Sequence, residues 1–134
     1  MATPVINYLA VLGAAVVSIV LGMLWYGPVF GKAWMKAAGI SEKGAKKGMA
    51  KGFVGMVIVS LVFSYVLAHF VDYLDVTDFG GAWQLGFWVW LGFMATIQIG
   101  SYLWESRPFN LFLINAGYSL VQIVVLAWIL AVWT

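Results

Sequence analysis

LWYGPVFGKAW, residues 24–34, lies where a long apolar run stops at a Trp-Tyr pair, passes through Gly-Pro and resumes with lysines among aromatic side chains. Trp25 and Tyr26 are the residue types that settle at lipid headgroups, where a ring keeps its body in lipid and its polar edge in water. Gly27-Pro28 then breaks the helix, because proline disfavours helical backbone at the residue before it and glycine accepts a sharp change of direction. Beyond the break, Phe30, Trp34 and Ala38 recur at helical spacing, with Lys32 and Lys36 on another side. That pattern predicts a short interfacial helix, its lysines meeting anionic lipid. Trp25, Tyr26, Pro28, Phe30 and Trp34 are thus the expected interfacial anchors.

Outward from this stretch the chain is overwhelmingly apolar. Of its 134 residues 64% are hydrophobic and 9% charged, and the mean hydropathy is +0.99. These values place it among membrane proteins. The apolar runs cover about 4–26, 52–71, 82–104 and 109–133, and each is long enough to cross a hydrocarbon core of about 30 Å as a helix. The expected architecture is all-α: one domain over residues 1–134, a four-transmembrane-helix bundle with a short interfacial helix between spans one and two. MATPVIN lacks the basic segment that opens a secretory signal, so the first run is read as a retained helix.

Charge sets the expected orientation. Lys32, Lys36, Lys43, Lys46, Lys47 and Lys51 lie in the connection 27–51 and Arg107 lies in the third connection, whereas the second holds Asp72, Asp75 and Asp78 with no base. All seven basic side chains therefore fall on one face. The positive-inside rule assigns that face to the cytoplasm and leaves both termini outside. So strong a bias also argues against an antiparallel dual-topology dimer.

The motif W-Y-G-P-x-F-G-x-x-W at residues 25–34, the lysine-bearing loop after it and I-N-A-G-Y at 114–118 resemble the bacterial membrane family catalogued as domain of unknown function 1761. The resemblance spans nearly the whole chain. It implies a four-helix integral membrane protein, and no activity, substrate or catalytic residue; the expected location is the bacterial inner membrane.

Small residues form stripes inside the spans. Ala10, Ala14, Ser18 and Gly22 repeat at intervals of four in the first, and Gly92, Thr96 and Gly100 do so in the third. Such stripes let helix backbones approach closely, within the bundle or between protomers; a groove for substrate is the other reading. Gln84, Trp88, Leu91, Ala95, Gln98, Tyr102 and Glu105 share one face of the third span, as do Leu111, Asn115, Tyr118, Gln122, Val125 and Ile129 of the fourth. A turn centred between Ser106 and Arg107 sets Gln98 opposite Asn115, predicting an amide–amide bond across the hairpin. Counted from the inner ends, Ser18, Ser60, Gln98 and Asn115 all lie about 10–12 Å into the hydrocarbon. With Tyr118 and Gln122 they are the candidate polar layer, either hydrogen-bonded glue between helices or a cavity open to the cytoplasm.

Other chemistry is sparse. The chain has no cysteine and one histidine, which excludes disulfides, thiol nucleophiles and Cys-ligated metals. His69, Asp72, Asp75 and Asp78 sit where the second span exits and are read as solvated, with no metal or cofactor. No nucleophile, base and orienting group can be assembled, so no enzyme is expected. Nor is nucleic acid. The expected function is structural or interactive: a homo-oligomer, or a module binding a membrane partner. The alternative is a channel or transporter for a small solute or ion using the polar layer at Ser18, Ser60, Gln98 and Asn115.

Overall fold

A computed structural model describes residues 4–133, apart from the side chain of Ala45; the outermost ends of the expected domain, residues 1–3 and 134, lie outside the described residues. Every regular element among the described residues is helical. Helix α1, Tyr8–Leu24, is capped by Asn7, whose Oδ1 accepts from the backbone N–H of Leu9 and Ala10 at 3.1 and 3.2 Å. It does not end at Gly27-Pro28 as expected, but continues through one π turn, Trp25–Val29. Pro28 has no N–H to give, and glycine before it has no Cβ to clash with the proline ring. Two residues on, the N–H of Phe30 reaches Trp25 O at 2.8 Å and closes the wider turn.

The chain then doubles back. Helix α2, Gly31–Ala38, is strongly amphipathic and ends at Gly39, whose φ of 71° is one that glycine adopts without strain. A Cβ on Gly31 would stand 2.7 Å from Tyr26 O, so only glycine fits where α2 folds against the end of the π turn. The expected short helix is therefore present. It packs on protein as well, against the start of the last helix, where Arg107 Nη1 donates to Ala38 O at 3.3 Å. The expected basic loop also contains a short helix, α3, Glu42–Lys47, capped by Ser41. Helix α4, Met49–Tyr73, exceeds the expected 52–71 at both ends and absorbs Lys51 and Asp72.

The third expected span is a rod over residues 79–103, built of α5, Phe79–Val89, a π turn, Trp90–Ala95, then α6, Thr96–Gln98, and α7, Gly100–Leu103. Asp78 caps its start by accepting from Gly81 N at 2.8 Å. The last helix, α8, is Phe109–Val132. Among the described residues three helices are long and apolar enough to cross a membrane: Tyr8–Val29, Met49–Tyr73 and Phe109–Val132. The rod's glutamines, glycines and tryptophans dilute its apolar character.

Helix α8 is the axis. Helices α1 and α4 pack on each other and on α8, whereas the rod packs along α8 and to no comparable extent on α1 or α4. Gly86 permits that contact, since a Cβ there would meet Val124 Cγ2 at 2.7 Å and Val124 Cα at 3.1 Å. Two indoles clamp the axis by its carbonyls: Trp25 Nε1 donates to Ile114 O at 3.0 Å and Trp90 Nε1 to Ala116 O at 2.8 Å. The hydrophobic core lies toward the chain ends, where Ala10, Ala14, Leu67, Ala68, Ala82, Leu85, Leu126 and Ala127 pack closely. Asn7 Nδ2 donates to Trp133 O at 3.4 Å, so both described ends meet on the side opposite the lysines. Toward the lysine side the rod and α4 leave a gap between them.

Candidate functional site

That gap is a groove of about 480 Å³, floored by α8 and walled by α4 and the rod. Its floor is polar because Asn115, Tyr118, Ser119 and Gln122 recur at three and four along one face of α8. Val59 and Phe63 of α4 face it from one side, and Met94, Ile97, Gln98 and Ser101 of the rod from the other. Tyr26 closes one wall, and Glu105, which is exposed, lies at the lysine-side end.

Hydrogen bonds divide the polar layer into three sets. At the apex Ser18 Oγ accepts from Gln122 Nε2 at 2.8 Å and from Ser60 Oγ at 3.3 Å, while Tyr118 OH donates to Ser18 O at 3.0 Å. These bonds join α1, α4 and α8 through one serine that has no exposed surface. Nearer the lysine side, Tyr26 OH donates to Asn115 Oδ1 at 2.7 Å. On the rod, Gln98 Oε1 lies 3.1 Å from Ser119 Oγ, whose hydroxyl also reaches Ala116 O at 2.9 Å. A serine has one proton to donate. If it goes to Ala116 O, Gln98 meets Ser119 through its amide nitrogen instead; either way one end of the Gln98 amide is left for the groove.

The expected Gln98–Asn115 bond does not form. Its register assumed helix on both sides of a tight turn between Ser106 and Arg107, whereas α7 ends at Leu103, α8 starts at Phe109, and the rod tightens at Ile99, whose O accepts from Tyr102 N at 3.0 Å. Farther along the rod the π turn Trp90–Ala95 adds a residue to the helical phase. Before the turn the inward residues are Ala82, Leu85 and Gly86, with Trp88 pointing out; after it they are Ala95 and Gln98. The expected face from Gln84 to Glu105 is therefore split, and Trp88 Nε1 donates sideways to Gln84 Oε1 at 3.2 Å. The same shift turns the Gly92–Thr96 pair outward. A Cβ on Gly92 would meet nothing within 4 Å, Thr96 Oγ1 bonds back to Gly92 O at 2.8 Å, and Gly100 faces only Trp104 at 4.0 Å. The stripe of the first span has the opposite fate. Ala10, Ala14, Ser18 and Gly22 are buried within this one chain, Gly22 beneath Tyr118, and are not available to a second copy.

The expected anchors also make contacts within the protein. Trp25 and Tyr26, expected at headgroups, turn their polar edges onto α8; Phe30 packs on Trp25 with ring centroids 4.7 Å apart and Trp34 on Tyr26 at 5.4 Å. Pro28 sits exposed inside the π turn. Two contributors were missed, Tyr26 and Ser119. Ser119 was legible, being four residues after Asn115 and three before Gln122; Tyr26 looked like an interface residue because it ends an apolar run.

The acidic residues of the opposite side have separate duties. Asp72 Oδ2 accepts from Val5 N at 3.2 Å, Asp78 caps α5, and His69 Nδ1 lies 2.9 Å from Tyr65 O. Among the described residues no group of three such side chains could hold a metal ion.

No curated protein and no solved structure matches the chain. A family model does match, over residues 9–131, and takes in α1, the π turn, the groove and nearly all of α8. The chain accordingly belongs to the family described as protein of unknown function (DUF1761).

Proposed function

We propose that this protein works by binding within the membrane: a four-crossing protein of the bacterial inner membrane, with both ends outside and the lysines in the cytoplasm, that receives a membrane-borne partner or ligand in the groove between α4 and the rod. The rod over residues 79–103 would be the fourth crossing, being about 37 Å long at 1.5 Å per residue. Helix α2 would lie in the inner headgroup layer, where Lys32 and Lys36 meet anionic lipid. Self-association would use the outward Gly92–Thr96 surface, since small residues at a helix face allow close approach of a second backbone.

The observation that carries this reading is the rod's attachment to α8 alone, which leaves half-satisfied amides on the wall of an open groove. No acid–base or nucleophile pair lies there to support catalysis, so the reading is not that of an enzyme. A channel or transporter would use the same polar residues. The close packing of Ala10, Leu126 and Ala127, which have no exposed surface, weighs against a path through one protomer.

The chain has no native thiol, so paired cysteines give a clean test. Val59→Cys with Ile97→Cys should form no disulfide on oxidation, because a bridge needs Cα atoms within about 7 Å, yet should be joined by a long bis-maleimide. Gly92→Cys should give a disulfide-linked dimer in native membranes. Ready formation of the Val59–Ile97 disulfide together with a monomeric Gly92→Cys chain would sink the reading. Sidedness is checked separately: Lys46→Cys should react with impermeant maleimide only from the cytoplasm and Asp75→Cys only from outside.

A further inference from the structure

We infer that the groove is a site for a neutral amphiphile, one whose headgroup carries hydroxyl or carbonyl groups and whose chain leaves between α4 and the rod. The inference rests on the binding role proposed above and names the ligand class. It starts from polar groups left without partners. Among the described residues no hydrogen bond engages Asn115 Nδ2 or Gln122 Oε1, and one end of the Gln98 amide is likewise unused. All three residues line the groove, and Gln122 is more than nine-tenths buried. An acyl chain lying on these amides would leave donors and acceptors dry, which is costly in hydrocarbon. The occupant of the floor must therefore offer both donors and acceptors.

Charge narrows the class. No lysine or arginine lines the groove, and its one charged side chain is Glu105, at the rim. An anionic head would meet carbonyl and hydroxyl acceptors without a compensating cation. A cationic head would find its counter-charge only at the exposed mouth and would have to lose its hydration to go deeper. Hydroxyls or carbonyls, in contrast, match the mixture of amide, phenol and serine groups from Tyr26 to Gln122. The tail is provided for by the walls. Val59 and Phe63 on one lip and Met94 and Ile97 on the other are apolar, and Val59 and Ile97 are 61% and 75% exposed. A headgroup can thus enter sideways from the inner leaflet without its chain leaving lipid. The volume of about 480 Å³ holds a compact head and the first carbons of a chain.

The test uses the full chain in phosphatidylcholine nanodiscs with three photoreactive probes, each a dodecyl chain bearing a diazirine near the head. The heads are glycerol, trimethylammonium and phosphate. The glycerol probe should label peptides containing residues 94–101 and 112–122 about tenfold more than either charged probe, the discrimination expected from two or three hydrogen bonds of ordinary net strength. Gln98→Leu combined with Asn115→Leu should remove that preference. Ile97→Trp keeps every amide and changes an exposed side chain; it should plug the lip and abolish labelling while the thermal transition stays at the wild-type temperature. Equal labelling by all three heads, a preference for either charged head, or labelling that survives Ile97→Trp overturns the inference. The cysteine test of the open groove does not depend on headgroup, so an open groove without headgroup preference would fault this inference alone.

Discussion

The hydroxyl of Tyr26 donates to Asn115 Oδ1 at 2.7 Å, tying the π turn that ends the first membrane-length helix to the first third of α8. With the Trp25 indole on Ile114 O, it fixes the direction in which the chain leaves α1, and hence where α2 folds back. The motif around Gly27-Pro28 thereby shapes one wall of the groove.

Tyr26→Phe should destabilise the protein by about 0.5–1.5 kcal/mol, since the amide oxygen loses its donor. Asn115→Leu should do the same from the other side, and the pair should be non-additive by about 0.6 kcal/mol or more, as for interhelical bonds in membranes. Gln98→Leu combined with Asn115→Leu, in contrast, should add to within about 0.5 kcal/mol, because the two amides share no bond or partner. Equilibrium unfolding of the single and double variants measures both couplings. A stronger coupling for Gln98 with Asn115 than for Tyr26 with Asn115 would contradict the observed register.

Two buried serines should behave oppositely. Ser18 accepts from Gln122 Nε2 and Ser60 Oγ, so Ser18→Ala strands two donors at once and should cost about 1–3 kcal/mol. Ser64, equally buried on α4, has an Oγ with no partner among the described residues. Removing that hydroxyl leaves no group unpaired, and Ser64→Ala should be neutral or slightly stabilising. Thermal unfolding in one detergent compares the two directly, and a Ser64→Ala loss as large as that of Ser18→Ala would show that the hydroxyl is engaged.

Glycine positions test the rod's single attachment. Gly86→Ala places a methyl 2.7 Å from Val124 Cγ2 and 3.1 Å from its Cα. Either α8 or the rod must move, at about 1–3 kcal/mol for an overpacked contact. Gly92→Ala projects into open space and should change monomer stability by less than about 0.5 kcal/mol. The same substitution should weaken any dimer formed through Gly92 and Thr96. Unfolding in dispersing detergent and mass in lipid separate these effects; equal loss of monomer stability in both variants would contradict the outward placement of Gly92.

Much of the arrangement was legible in the sequence. Apolar run length located the helices to within a few residues, because a stretch that must bury its own backbone bonds has few alternatives to a helix. The polar floor on α8 was legible for the same reason: α8 is one continuous α-helix, so the spacing of Asn115, Tyr118 and Gln122 reports a face. Along the rod the same counting failed at Trp90–Ala95, where one additional residue per turn changes which side chains face α8. Nothing in WLGFMA announces a π turn; it is favoured by what it brings together, the Trp90 indole on Ala116 O and Gln98 beside Ser119. The inward contacts of Trp25 and Tyr26 were not legible, because position along a span cannot tell a lipid-facing aromatic from one turned inward by the pitch of a π turn.

A binding groove and a conducting path differ in where water reaches the protein interior. Gln98 lies on the groove wall and Ala127 in the closely packed half toward the chain ends, with no exposed surface. Gln98→Cys should react with a small water-soluble thiosulfonate added on the lysine side and not on the other, since water can follow the polar floor inward from Glu105. Ala127→Cys, a small change in volume, should react from neither side, because Ala127 has no exposed surface and does not line the cavity of about 320 Å³ that Ala10 and Leu130 help to line toward the chain ends. A proton or ion path through one protomer would require that half to be wetted, at least intermittently. Reaction of Ala127→Cys at a rate comparable to Gln98→Cys, from the side of the chain ends, would therefore restore the channel reading. Protection of Ala127→Cys together with one-sided reaction of Gln98→Cys is the pattern expected of a pocket with a single mouth.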